Sequence, residues 1–156
     1  MQGDDLETYY LRTYPRVRRY LHRLSRDAAV ASDLAQEVFV RLLSSGKESL
    51  PLTERDAYVF TIATNLARDR WRRIRRDREL DEVAASEHSS SAVDLHRALE
   101  KLSPRDRSLL WLAYVEGLAH RDVARIAGVR EKSVKVLLFR VRRRLAALMG
   151  RNVDDR

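Results

Sequence analysis

The chain has 156 residues, with 31 Lys or Arg against 23 Asp or Glu, a formal net charge of +8 and no cysteine. A disulfide framework and a thiolate metal site are therefore excluded, no apolar run reaches membrane-spanning length, and the opening MQGDDLETYY does not read as a signal peptide. With 5 Gly, 3 Pro and little β-branched alternation, the composition predicts an all-α, cytoplasmic protein without membrane insertion, whose positive surplus suits nucleic acid or an acidic surface.

Residues 6–24 read as a helix interrupted at Tyr14-Pro15, with Leu6, Tyr10, Tyr14, Val17, Tyr20, Leu21 and Leu24 as core. Residues 27–43 form the next helix. Ala31, Leu34, Ala35, Val38 and Leu42 make its buried stripe, and Asp33, Gln36, Val40 and Leu43, with Glu37 beside them, face outward. Acidic and amide groups mixed with exposed aliphatic ones fit a protein-binding face or a solvated surface. Residues 44–54 read as a loop marked by Gly46 and Pro51, after which Thr53 or Asp56 is available as a helix cap.

Residues 57–76, AYVFTIATNLARDRWRRIRR, carry more information. Their inner stripe is Val59, Phe60, Ala63, Leu66, Ala67, Trp71 and Ile74. The outward face gathers Tyr58, Thr61, Thr64, Asn65, Arg68, Arg72 and Arg75, with Ile62 and Arg76 at its margin. An aromatic ring, an amide and hydroxyls leading into arginines is nucleic-acid chemistry: guanidinium groups neutralise phosphates while polar and aromatic groups meet bases. A merely solvated helix would mix charge signs for i to i+4 pairing, and this one has no glutamate.

Residues 77–94 turn acidic and then serine-rich, which predicts a flexible linker. A short helix follows over 95–102. Ser103 then caps another, with Pro104 in its first turn and Asp106 completing an S-x-x-D box. That helix is strongly apolar through Leu109, Leu110, Trp111, Leu112, Ala113, Tyr114 and Val115, and ends at Glu116-Gly117. Residues 121–148 read as a helix-turn-helix. Val123, Ala124, Ile126 and Ala127 form the first apolar patch, and Gly128 suits a left-handed helix end. In the second helix Val134, Leu137, Leu138, Val141, Leu145 and Leu148 share one face. The other carries Lys132, Val136, Phe139, Arg140 and Arg143, with Lys135 at its edge. A basic outer face on the second helix suggests major-groove reading. A polar, unanchored tail closes the chain.

No catalytic constellation emerges. His22, His88, His96 and His120 make no metal-ligand spacing, and phosphate-cradling and nucleophile-elbow loops are missing. An enzyme is not expected, nor a cofactor.

Taken in order, D-L-A-Q-E-V-F (33–39), A-Y-V-F-T-I-A-T-N-L-A-R-D (57–69), the arginine run, the acidic stretch, L-S-P-R-D-R (102–107), Y-V-E-G-L (114–118) and R-D-V-A-R-I-A-G-V (121–129) resemble the extracytoplasmic-function (ECF) class of bacterial RNA polymerase sigma factors, in the sigma-70 family. The resemblance spans nearly the whole chain. It implies two small helical domains, 1–76 and 95–150, joined by a flexible linker at 77–94, the C-terminal one a helix-turn-helix. In such proteins the first domain binds a coiled coil on the largest polymerase subunit and recognises the −10 element; the second binds the β flap and reads the −35 element. On this chain the resemblance implies that Asp33, Gln36 and Glu37 dock on polymerase. Ile62 and Asn65 would serve an unstacked −10 base, with Arg68, Arg72, Arg73 and Arg76 on phosphates beside it, and Tyr58 would join the DNA-binding residues. Arg130, Lys132, Ser133, Lys135 and Arg140 would contact the −35 duplex. An anti-sigma factor is a common further partner, and the polymerase supplies the active site.

The recognition helix departs from the family. Many members have G-T-V-K-S-R where this chain has K-S-V-K-V-L (132–137). Val136 then faces outward with Phe139, available to thymine methyls or to an inhibitory partner. Two other readings remain open on the residues themselves: a helix-turn-helix regulator acting without polymerase, and an interaction module that keeps the fold without promoter binding.

Overall fold

A computed structural model describes residues 5–78 and 91–150, which fall into two compact units. The expected linker lies mostly outside the described residues, as do the C-terminal tail and His88. Its expected ends differ from the structure: residues 77 and 78 continue one helix and residues 91–94 begin the next. All regular structure among the described residues is helical.

The first unit is a three-helix bundle of α1 (Leu6–Ser25), α2 (Ala28–Ser45) and α3 (Leu52–Arg78). Helix α1 runs unbroken through Pro15, against the expected interruption. A proline inside a helix loses one backbone bond and crowds the preceding turn. Here Pro15 and Leu11 (65 % exposed) lie on the solvent side, where the carbonyl left without a donor is open to solvent, while Tyr9, Thr13, Val17, Tyr20, Leu21 and Leu24 are locked into the core. Continuity also shifts the stripe: Tyr9 and Thr13 are buried, Tyr10 is exposed, and Leu6 and Tyr14 are half-buried.

Asp27 caps α2 by accepting from the amides of Ala29 and Val30 at 3.0 and 3.2 Å, and Gly46 ends it at φ 70°. A 3₁₀ turn, Lys47–Ser49, leads to α3, which starts at Leu52, inside the expected loop. Neither Thr53 nor Asp56 caps it; the Arg55 amide bonds to the Pro51 carbonyl at 2.8 Å, so both lie within the helix. Asp56 has another task. It accepts from the Tyr9 hydroxyl at 2.8 Å and from Arg16 at 3.3 Å, tying α1 to α3. Buried Arg55 lies 4.6 Å from the Tyr9 ring centroid and donates to the Leu50 carbonyl at 2.9 Å. Burial, then the Asp56 charge and the hydrogen bond to it, push the Tyr9 hydroxyl well above the ordinary phenol range, so it remains a neutral donor.

The second unit comprises α4 (Ser91–Lys101), α5 (Pro104–Leu110), a π turn (Trp111–Val115), α6 (His120–Ala127) and α7 (Glu131–Leu148). Ser103 accepts the Asp106 amide at 3.1 Å, the expected cap. His120 is the first residue of α6 and caps nothing with its side chain. The expected long apolar helix changes register in the π turn: Leu109 and Leu112 stay buried while Tyr114 and Val115 are exposed. Leu102, Leu109, Leu112, Val123, Ala124, Ile126, Val134, Leu138 and Val141 form the core around which α6 and α7 pack. Asp106 is buried and accepts from Arg144, which fastens α5 to α7. No described helix is long and apolar enough to cross a membrane.

Candidate nucleic-acid interface

In the first unit the bundle covers only the first part of α3. At about 1.5 Å per residue a 27-residue helix is about 40 Å long, yet its last buried residue is Leu66. Beyond that point the helix presents its arginines: Arg72, Arg73, Arg75 and Arg76 are exposed, and Arg68 and Arg70 half-buried. Trp71, expected in the inner stripe, is 40 % exposed, and the Arg75 guanidinium lies 5.2 Å from its ring centroid. Asn65 is exposed at the point where the bundle stops.

Two residues expected on the outward side belong to the core. Thr64 is buried: its hydroxyl donates to the Phe60 carbonyl at 2.7 Å, so the Tyr20 hydroxyl, 2.7 Å away, is the donor to it. Ile62 is 9 % exposed, packed by the bundle rather than standing at an open margin. Only its edge is available beside Asn65. Tyr58 is half-buried, and Lys47 from the 3₁₀ turn approaches its ring to 5.5 Å. No local sequence signal marks this lysine, which lies eleven positions earlier in a segment read as loop.

The α2 residues Asp33, Gln36 and Glu37 are all exposed on one face, with Val40 and Leu43 exposed beside them. Glu37 is partly neutralised by Arg41, at 3.1 Å. Leu34 is half-buried, and Phe39 takes a full place in the core. There it meets Tyr9, Tyr10 and Tyr14 at ring-centroid distances of 6.4, 5.0 and 6.2 Å. The aromatic cluster fixes α2 on α1 and so holds the Asp33 face in place.

In the second unit Gly128 adopts φ 70°, as a tight turn between two helices requires. Arg130 stands at the cap position of α7. Lys132, Lys135, Arg140 and Arg143 are exposed, and Ser133 is half-buried. At about 100° per residue, Lys132, Val136, Phe139, Arg140 and Arg143 share the side opposite buried Val134, Leu138 and Val141. Leu145 is half-buried and Leu148 exposed, so the inner stripe weakens toward the helix end. Among the described residues no group of three or more His, Asp or Glu could hold a metal ion.

The fold and its exposed side chains define a class: a helical bundle with an arginine-bearing helix, followed by a helix-turn-helix whose second helix is basic outside. The comparisons with known proteins place the chain within that class. Residues 9–77 match the model of sigma-70 region 2, and residues 92–145 that of sigma-70 region 4. RNA polymerase sigma factor CarQ of Myxococcus xanthus is 30% identical over 160 residues, spanning 94% of this chain and 90% of that protein. The ECF sigma factor EcfG of Rhodopseudomonas palustris is 30% identical over 155 residues, 94% of this chain and 86% of that one. Sigma factor RpoE of Bartonella quintana, crystallised with the anti-sigma factor NepR, superposes with a TM-score of 0.75 at 25% identity, covering 98% of this chain and all of that one.

The chain belongs to the ECF class of RNA polymerase sigma factors, in the sigma-70 family. It directs the polymerase core to specific promoters and aids their opening for transcription initiation. The reading as a regulator independent of polymerase is thereby set aside. Sigma factors are initiation factors, not catalytic enzymes.

Proposed function

We propose that residues 1–76 act as the docking and −10 domain, residues 95–150 as the −35 domain, and the stretch between them as their tether. The observation that carries this division is the placement of Asn65. It stands exposed where the bundle ends and the row Arg68, Arg72 and Arg76 begins, so an extruded base has a polar partner with phosphate-binding groups next to it. Capturing an unstacked base biases the duplex toward opening. Tyr58 and the edge of Ile62 flank that base, and Arg73 adds a phosphate contact. On α2, Asp33, Gln36 and Glu37 dock on the coiled coil of the largest subunit, with Val40 and Leu43 supplying apolar contact.

In the second unit Arg130, Lys132, Ser133, Lys135 and Arg140 engage the −35 duplex, helped by the positive end of the α7 dipole, while the unit also meets the β flap. The chain itself performs no chemistry and works in the cytoplasm, where polymerase and promoter are. An anti-sigma factor is its natural regulator by analogy with the Bartonella quintana protein, whose structure contains one.

The test is reconstitution with polymerase core on a matched promoter. Asn65→Ala should slow promoter opening about tenfold or more while core binding changes less than twofold, an expectation in line with the loss of a bidentate base contact. Equal loss of both would make Asn65 a structural residue.

A further inference from the structure

Val136 and Phe139 are each 50 % exposed, three residues apart on the same side of α7. Isolated exposed aliphatic groups are ordinary. This pair is not isolated in its setting: Lys132, Lys135, Arg140 and Arg143 surround it, all exposed. The Arg143 guanidinium lies 5.7 Å from the Phe139 ring centroid, so the ring carries a cation on one side and offers the other to a partner. An apolar centre within a cationic rim complements a polyanion that exposes apolar groups. Duplex DNA has such groups in its major groove, the 5-methyl groups of thymine. A protein partner for this face would need matching acidic groups around an apolar centre, whereas DNA has its phosphates on both sides of the groove. The face is also continuous with the groove-reading start of the recognition helix.

We propose that Val136, seated beside Phe139, selects a thymine in the −35 duplex by contact with its 5-methyl group. The inference rests on the assignment of the second unit to the −35 element. Lysine and arginine on this face hold phosphates or purine acceptors and do not register a methyl group; Val136 does. The chain therefore exchanges the small polar residue common at this position for an apolar reader, and its promoters differ accordingly. The side chain is half-exposed, so Val136→Ser leaves the core of α7 intact.

The experiment uses the full chain in holoenzyme with polymerase core. Duplexes randomised across the −35 region are selected by binding, and each selected thymine is then replaced by deoxyuridine, which lacks only the methyl group. At one position the replacement should weaken wild-type holoenzyme about fourfold, the worth of one methyl removed from water. It should leave the Val136→Ser holoenzyme unaffected. Three results overturn the proposal: a selected element with no thymine, a uridine effect equal in both proteins, or no uridine effect while Val136→Ser loses an inhibitory protein instead. A holoenzyme that shows no −35 preference at all would overturn the assignment beneath it as well, and is distinguished from the other failures by the selection step alone.

Discussion

Helices α2 and α7 present the same construction with opposite charge. Each exposes two apolar side chains three positions apart, Val40 and Leu43 on one, Val136 and Phe139 on the other. Around the first pair stand Asp33, Gln36 and Glu37; around the second, Lys132, Lys135, Arg140 and Arg143. The apolar pairs alone do not choose a partner, since burying a methyl group is favourable against protein and DNA alike. Charge sign makes the choice. An acidic rim rejects phosphate and meets a basic protein helix, while a cationic rim meets a nucleic acid. On the reading proposed above, the two faces divide the work of holding polymerase and reading DNA.

Reversing the rim of α2 is the most severe way to break the contrast. Asp33→Arg with Glu37→Arg should weaken core polymerase binding by about 3 kcal/mol, from lost attraction and added repulsion, with duplex −35 binding retained or strengthened. Fluorescence titration with core enzyme reads the effect, and unaltered core affinity would remove α2 from the docking face. Neutralising the rim of α7 comes next. Lys132→Ala, Lys135→Ala and Arg140→Ala together should cost −35 binding about 1 kcal/mol each and lower the salt slope by about 0.9 per lost phosphate contact. A slope that stays fixed would place these groups away from the backbone.

The apolar half of the α2 face should be worth less. Val40→Ala should reduce core affinity about tenfold, for two carbons lost at about 0.8 kcal/mol each, without altering its salt dependence. That insensitivity to salt distinguishes it from the charge reversal. The smallest effect concerns the scaffold that holds the α2 face. Tyr9→Phe removes the hydroxyl that bonds Asp56 and should lower the stability of the first unit by about 1–2 kcal/mol in a urea melt. Because burial first, and Asp56 second, raise the folded-state pKa of Tyr9, its contribution is present below the ordinary tyrosine value of about 10 and is lost as pH rises above it. Wild type should therefore lose stability above pH 10 more steeply than Tyr9→Phe.

Both faces were legible in the sequence because each is a local helical period with a matching polar set. The same holds for the Ser103 cap and the Gly128 turn, whose signals span four residues or fewer. What escaped depended on distant neighbours. Pro15 reads as a break, yet the bundle holds α1 through it, and that continuity is what buries Tyr9 in place of Tyr10. Thr64 looks like part of a polar face, but Tyr20, forty-four positions away, supplies its partner. Trp71 continues the inner period of α3; periodicity identifies the apolar side without revealing how far along the helix burial extends, and the last buried residue is Leu66. Asp56 reads as a cap candidate because its real partners, Tyr9 and Arg16, lie more than a third of a chain-length of the first unit away in sequence.

The overhanging end of α3 has a consequence for the free protein. Arg68, Arg72 and Arg76 are spaced four residues apart, about 6 Å along the axis. Like charges at that spacing oppose a helix by about 0.2–0.5 kcal/mol per pair; Asp69, one turn from Arg72 and Arg73, offsets part of that repulsion. Salt thus has two opposed actions on one segment. In the free chain it screens the repulsion and favours the helix; on a promoter, with the arginines placed as proposed, it competes with them for the phosphates. On the proposed placement of these arginines against promoter phosphates, DNA takes the part of a counterion, and some of the binding free energy comes from easing their mutual repulsion.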